Sequence, residues 1–138
     1  MLVVWKYAIF CLFVAILLPG PMGTYKTYQM NLDNVKMNVI ETSGNGVVNE
    51  STIFSFSQKG NVVSATYSGG QIEKGFLVGL MDNNKLRFSY CQLQGDGKMD
   101  NGTSECDMLI ENGKIKLVEH FTWASRENET GTNVFQQL

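Results

Sequence analysis

The sequence predicts an all-β protein, an antiparallel up-and-down meander closed into a small eight-stranded barrel. Beyond residue 30, apolar residues recur at every second position, the period of a strand with one buried face. The runs are cut at short intervals by Gly and Asn. There are 14 glycines against 2 prolines, and Pro19 and Pro21 both precede the alternating region, so its corners have the chemistry of hairpins. No segment there carries the spacing of an amphipathic helix, and 43% hydrophobic with 17% charged residues rules out a disordered chain.

Each element follows from the same two signals. Val35, Met37 and Val39 alternate with Lys36 and Asn38, predicting a strand over 34–41 that ends at Ser43-Gly44-Asn45-Gly46. Phe54 and Phe56 alternate in 51–58, and Lys59-Gly60-Asn61 turns the chain into 62–68, where Val63, Ala65 and Tyr67 share a face. After Ser68-Gly69-Gly70 comes a long, bent strand over 71–81, with Ile72, Phe76, Val78 and Leu80 assigned to one face and Leu77 and Met81 to the other. Gly75 and Gly79 mark where that strand bends or lets another group approach. Asp82-Asn83-Asn84 leads into 85–94, with Leu86, Phe88 and Tyr90 on one face and Arg87, Ser89 and Cys91 on the other. A glycine-rich loop precedes 103–110, with Cys106, Met108 and Ile110 together, and Glu111-Asn112-Gly113 is the clearest hairpin turn. Residues 114–124 set Ile115, Leu117, Glu119, Phe121 and Trp123 on one face, and a last strand over 131–137 carries Val134 and Leu138. An open sheet would need a helix over one face. None is available, so closure, which also removes exposed edges, is the expectation. The predicted barrel is similar in shape to the avidin and lipocalin group.

Residues 30–138 make one domain. Ahead of them, residues 1–29 contain an apolar run from Ala8 to Leu18 behind Lys6, then Pro19-Gly20-Pro21. This reads as a signal peptide, an uncleaved membrane anchor through residues 1–18, or an extension upstream of a true start at Met30. The first two imply a secreted or membrane-anchored protein and the third a cytoplasmic one. Sequons at Asn49, Asn101 and Asn128 fall in segments read as loops. With 11 Lys+Arg against 13 Asp+Glu and scattered lysines, the chain has no electrostatic footprint for nucleic acid.

The informative residues are polar groups on inward faces. Glu119 alternates with Leu117, Phe121 and Trp123, so burial should raise its pKa and it needs hydrogen-bond donors, Tyr67 and Tyr90 being the expected ones. No other acid is so bracketed, which makes Glu119 the expected least exposed carboxylate. Tyr67, Tyr90, Glu119 and Trp123 are therefore the candidate residues of a ligand site inside the barrel. His120 faces away from Glu119, so no acid–base dyad forms, and one histidine with 3 scattered cysteines assembles no closed metal site. No catalytic residue, metal or cofactor is assigned. Pairing Phe88 with Met108 and Leu86 with Ile110 sets Tyr90 opposite Cys106 and points Cys91 to the other side, so both thiols stay free.

Tyr67-Ser68-Gly69-Gly70-x-Ile72-x-x-Gly75-x-Leu77-x-Gly79 resembles the central motif of a family of short, mostly bacterial proteins often labelled N-acetylglutamate synthase. Leu86-x-Phe88-x-Tyr90-x-Gln92, Asn112-Gly113-Lys114 and Leu117-x-Glu119 extend the similarity over residues 38–133. The resemblance implies an acyltransferase, in which Gln92 to Gly97 would match a pyrophosphate-binding string, although no helix start follows it. The residues themselves favour a non-enzymatic barrel that binds a small apolar or amphipathic ligand or serves as a structural domain. The alternative is a small enzyme, an acyltransferase or a barrel with Glu119 as general acid or base.

Overall fold

The computed structural model describes residues 30–138. The readings of residues 1–29 as signal peptide, anchor or upstream extension lie outside the described residues. Eight strands follow in order: β1 (Lys36–Thr42), β2 (Ile53–Lys59), β3 (Val62–Gly69), β4 (Ile72–Asp82), β5 (Lys85–Gln94), β6 (Met99–Glu111), β7 (Lys114–Trp123) and β8 (Thr130–Gln137). Each pairs antiparallel with the next and β8 returns to β1, closing the barrel. The turns use the predicted residues. Gly60, Asn83, Asn112 and Gly113 all take positive φ, between 51° and 75°, which Gly and Asn adopt at least cost.

The end that carries the β2–β3, β4–β5 and β6–β7 turns is packed solid. Met37, Val63, Leu86 and Leu117 are fully buried there, and Leu32 plugs the end from the segment before β1, its N–H donating to Gln58 Oε1 at 2.9 Å. The opposite end is bordered by the β1–β2 segment and the β7–β8 loop, and it holds the polar interior residues.

Four local expectations are corrected. A register shift between Ile72 and Lys74 changes the phase of β4, so Ile72 points inward but Phe76, Val78 and Leu80 point out, 50%, 58% and 48% exposed. The inward residues are Gly75, Leu77 and Met81; the single extra residue of a bulge is enough to exchange the faces. Gly75 is required there: a Cβ would run into the ring of Tyr67, its partner on β3. Second, β6 begins at Met99 rather than near 103, leaving only Gly95–Lys98 as the loop. The tight turn sets Leu86 opposite Cys106, Phe88 opposite Ser104 and Tyr90 opposite Gly102, four residues from the expected register. An even slip preserves the faces, so Cys91 is exposed and Cys106 buried, both as free thiols. Third, Ile110 lies beyond the packed core at the barrel's rim and is 58% exposed. Fourth, β8 points Asn133 and Phe135 inward rather than Val134 and Leu138, because Phe135 is the residue paired with inward Leu117. Of the sequons, Asn101 lies within β6 and not in a loop.

Candidate functional site

The polar end of the barrel holds a cavity of about 30 Å³, lined by Phe54, Tyr67, Leu77, Phe88, Tyr90, Gln92, Glu119, Phe121, Trp123, Asn133 and Phe135 and bordered by Gly46, Val47 and Val48. Every strand residue in this set is inward by simple alternation. The bordering residues come from the β1–β2 segment, which is tied down locally. Thr52 is fully buried, its hydroxyl accepting from the Asn49 N–H and donating to the Gly69 carbonyl, each at 3.1 Å. Asn45 Nδ2 donates to the Thr130 carbonyl at 3.0 Å, linking the segment to the start of β8.

Aromatic rings form two walls. Phe54 stacks on Tyr67 with centroids 4.3 Å apart, and Trp123 meets Tyr90 and Phe121 edge-on at 5.8 and 5.4 Å. Tyr67, Tyr90, Glu119 and Trp123, singled out from the sequence, all border this one cavity.

Their hydrogen bonds are not the expected ones. Ser104 Oγ donates to Glu119 Oε1 at 2.5 Å and Asn133 Nδ2 to Glu119 Oε2 at 2.6 Å, so each carboxylate oxygen is held from a neighbouring strand. Ser104 and Asn133 sit on β6 and β8 on either side of Glu119, in cross-strand reach, whereas the tyrosines lie on β3 and β5, which do not border β7. Tyr67 instead donates to Gln92 Oε1 at 2.9 Å. Burial pushes the Glu119 carboxyl above its ordinary value despite the two donors, and burial followed by the Glu119 charge pushes the Tyr67 and Tyr90 hydroxyls up.

Four side-chain atoms at the cavity have no hydrogen-bond partner among the described residues: Tyr90 Oη, Gln92 Nε2, Trp123 Nε1 and Asn133 Oδ1. The residues that carry them lie on three strands and all line the same cavity. Such groups are costly in a closed core and are seldom left unpaired without a reason.

A second polar cluster braces the rim. Asp100 is 3% exposed against 4% for Glu119, so Glu119 is not the single most buried acid. Arg126 Nη2 and Nε donate to the Asp100 carboxylate at 2.7 and 3.2 Å, Ser125 Oγ at 2.8 Å and Gln94 Nε2 at 2.7 Å. Burial alone would raise Asp100, but the bonds from Arg126 and Ser125 outweigh it and hold the carboxyl below its ordinary value. The Arg126 guanidinium also lies 4.2 Å over the Trp123 ring, clamping the indole from outside. The β7–β8 loop is thus fastened to β6 beside the cavity.

Gln92, Ser104, Asn133 and Asp100 were legible in principle. Gln92 is in phase with Leu86, Phe88 and Tyr90, and Ser104 with Cys106 and Met108. Asp100 was hidden by starting its strand at 103, and Asn133 by the wrong phase on β8. His120 is exposed, facing away from Glu119, and no group of three or more His, Cys, Asp or Glu is placed to hold a metal among the described residues.

No protein of curated function and no solved structure matches the chain. The model of the avidin-like protein family matches residues 30–138. This overturns the resemblance to the proteins labelled N-acetylglutamate synthase, and the fold gives the physical reason. Gln92 and Gln94 are buried strand residues, and Gly95–Lys98 is a hairpin turn with no helix N-terminus to meet a pyrophosphate. A closed eight-stranded antiparallel barrel, with an aromatic cavity at one end and matched along all of its described length, places the chain in the avidin-like family.

Proposed function

We propose that the barrel is a non-enzymatic binder of a small amphipathic ligand, held in the cavity under the β1–β2 segment. The observation that carries this reading is that Tyr90, Gln92, Trp123 and Asn133, which line one aromatic cavity, each carry a buried side-chain polar atom without a partner, Oη, Nε2, Nε1 and Oδ1. Two are obligate donors and one an obligate acceptor, so they fit a ligand polar group that presents both acceptor and donor atoms between apolar rings. Tyr67 donates to Gln92 Oε1 and so fixes which end of the Gln92 amide is satisfied, leaving Nε2 without a partner. In a purely structural domain these four atoms would be a loss of stability with nothing in return.

The cavity of about 30 Å³ has room for about two waters, so a ligand the size of biotin needs its lining, Gly46–Val48 or the aromatic side chains, to make room. Avidin-like proteins bind small ligands such as biotin, which is the first probe. The test is native mass spectrometry of the full chain purified from its source, together with thermal melts with and without biotin. The expected result is a small molecule retained by the parent and absent from Asn133→Leu, or a biotin-dependent rise in Tm that Asn133→Leu abolishes. A parent that carries no small molecule and melts unchanged with biotin overturns the proposal.

A further inference from the structure

Trp123 has no hydrogen bond of its own to orient its ring. It is the last residue of β7, and its Nε1 has no partner among the described residues. It is buried, yet both it and Phe121 lie outside the contiguous apolar core that contains Leu86, Leu117 and Phe135. The rings it meets, Tyr90 and Phe121, touch it edge-on, at interplanar angles of 75° and 68°.

We infer that Arg126 is a positioning residue for the cavity: pinned by Asp100, its guanidinium covers the Trp123 indole and holds that ring in place as part of the cavity wall. The guanidinium lies 4.2 Å from the ring centroid. Its own placement is fixed by two bonds to one carboxylate, Nε to Asp100 Oδ1 at 3.2 Å and Nη2 to Asp100 Oδ2 at 2.7 Å. Asp100 is held in turn by Ser125 Oγ and by Gln94 Nε2, inside the barrel end. Each side chain in this series fixes the rotamer of the next, and the last one is a ring that lines the cavity.

Fastening the β7–β8 loop does not require the contact with the ring. The Trp123 N–H donates to the Glu129 carbonyl at 3.0 Å, the Ala124 N–H to the Asn101 carbonyl at 2.8 Å and the Asn101 N–H to Ser125 Oγ at 3.0 Å, which closes the loop without Arg126. Nor does the charge of Asp100 require it. An ammonium would balance that charge, whereas a planar guanidinium both forks onto a carboxylate and covers an aromatic face. The effect on binding rests on the ligand site proposed above. A wall ordered in advance spares the ligand the cost of ordering it, which for one side chain is worth up to about tenfold in affinity.

The test uses the full chain carrying Trp5→Phe, which leaves Trp123 as its single tryptophan. This parent is compared with Arg126→Lys and with the double variant Asp100→Asn/Arg126→Gln, which removes both charges so that neither is left buried and unpaired. Below the melting transition, time-resolved fluorescence anisotropy and acrylamide quenching read the indole, and titration with biotin reads the site; thermal melts read the fold. In the parent the indole should tumble with the whole barrel and be shielded from acrylamide. In both variants it should gain fast local motion and quench faster, with biotin affinity lowered by up to about tenfold. Arg126→Lys, which keeps a cation beside Asp100, should recover most of the Tm of the parent and little of the order of the indole. An indole equally immobile in all three proteins, one fully restored by Arg126→Lys, or a freed indole with biotin affinity unchanged overturns the proposal. A parent that neither retains a small molecule nor responds to biotin overturns the proposed function instead, and the anisotropy and quenching still decide whether Arg126 positions the ring.

Discussion

At the scale of single residues, Glu119 shows how a charged group survives inside an apolar barrel. It is flanked along its strand by Leu117, Phe121 and Trp123, and what holds it is a donor from each neighbouring strand, Ser104 on β6 and Asn133 on β8. Glu119→Ala strips both donors of their acceptor, and the expected cost is about 1–3 kcal/mol. Glu119→Gln should melt within a small margin of the parent. Its carbonyl can accept from Ser104, and Asn133 can rotate its amide to offer the now unpartnered Oδ1 to the new NH₂. Chemical denaturation of the two variants beside the parent checks this; equal stability for all three would mean that the Ser104 and Asn133 bonds contribute nothing.

At the scale of elements, register and phase decide what each strand presents. The β5–β6 pairing lies four residues from the one expected by matching apolar faces, yet each side chain keeps its face because the slip is even. The thiols report on this directly. Cys91 faces solvent, whereas burial pushes the Cys106 thiol well above its ordinary value and shields it. Alkylation of the native protein without reductant, followed by peptide mapping, should modify Cys91 and leave Cys106 intact until denaturant is added. A peptide bridging the two would refute the register. β4 shows the opposite case, a slip of one residue at a bulge, which exchanges the faces and turns Phe76, Val78 and Leu80 outward.

At the scale of the molecule, two buried acids bend the stability curve in opposite directions. Asp100, held below its ordinary value by Arg126 and Ser125, is stabilising above the unfolded pKa of about 3.9, and that contribution is lost as pH falls through the lower folded value. Glu119, raised from 4.5 by burial, binds its proton more tightly in the folded state, so its contribution declines as pH rises above that value. Melts of the parent and of Glu119→Gln from about pH 4 to about pH 8 separate the two. The Tm of Glu119→Gln minus that of the parent should increase with pH across the window. A flat difference would show that Glu119 titrates alike in the folded and unfolded chain.

The alternation of Val63, Ala65 and Tyr67, of Leu86, Phe88 and Tyr90, and of Leu117, Glu119, Phe121 and Trp123 by itself determined the strand order, the barrel class and the placing of a carboxylate among aromatics. These are local signals, because a side chain's face depends only on parity within its own strand. Where parity is broken by a bulge, as on β4, or where a strand start is set by a turn's geometry, as at Met99, the local signal misleads and only the paired neighbours correct it. The partners of Glu119, the Asp100–Arg126 clamp over Trp123 and the unpartnered atoms round the cavity were decided by the closure of the barrel. They depend on which strands stand side by side and in which register, and that is fixed by hydrogen bonds between residues 14 to 26 positions apart around the site and up to 89 positions apart beside the β1–β8 seam, beyond the reach of any periodicity along the chain.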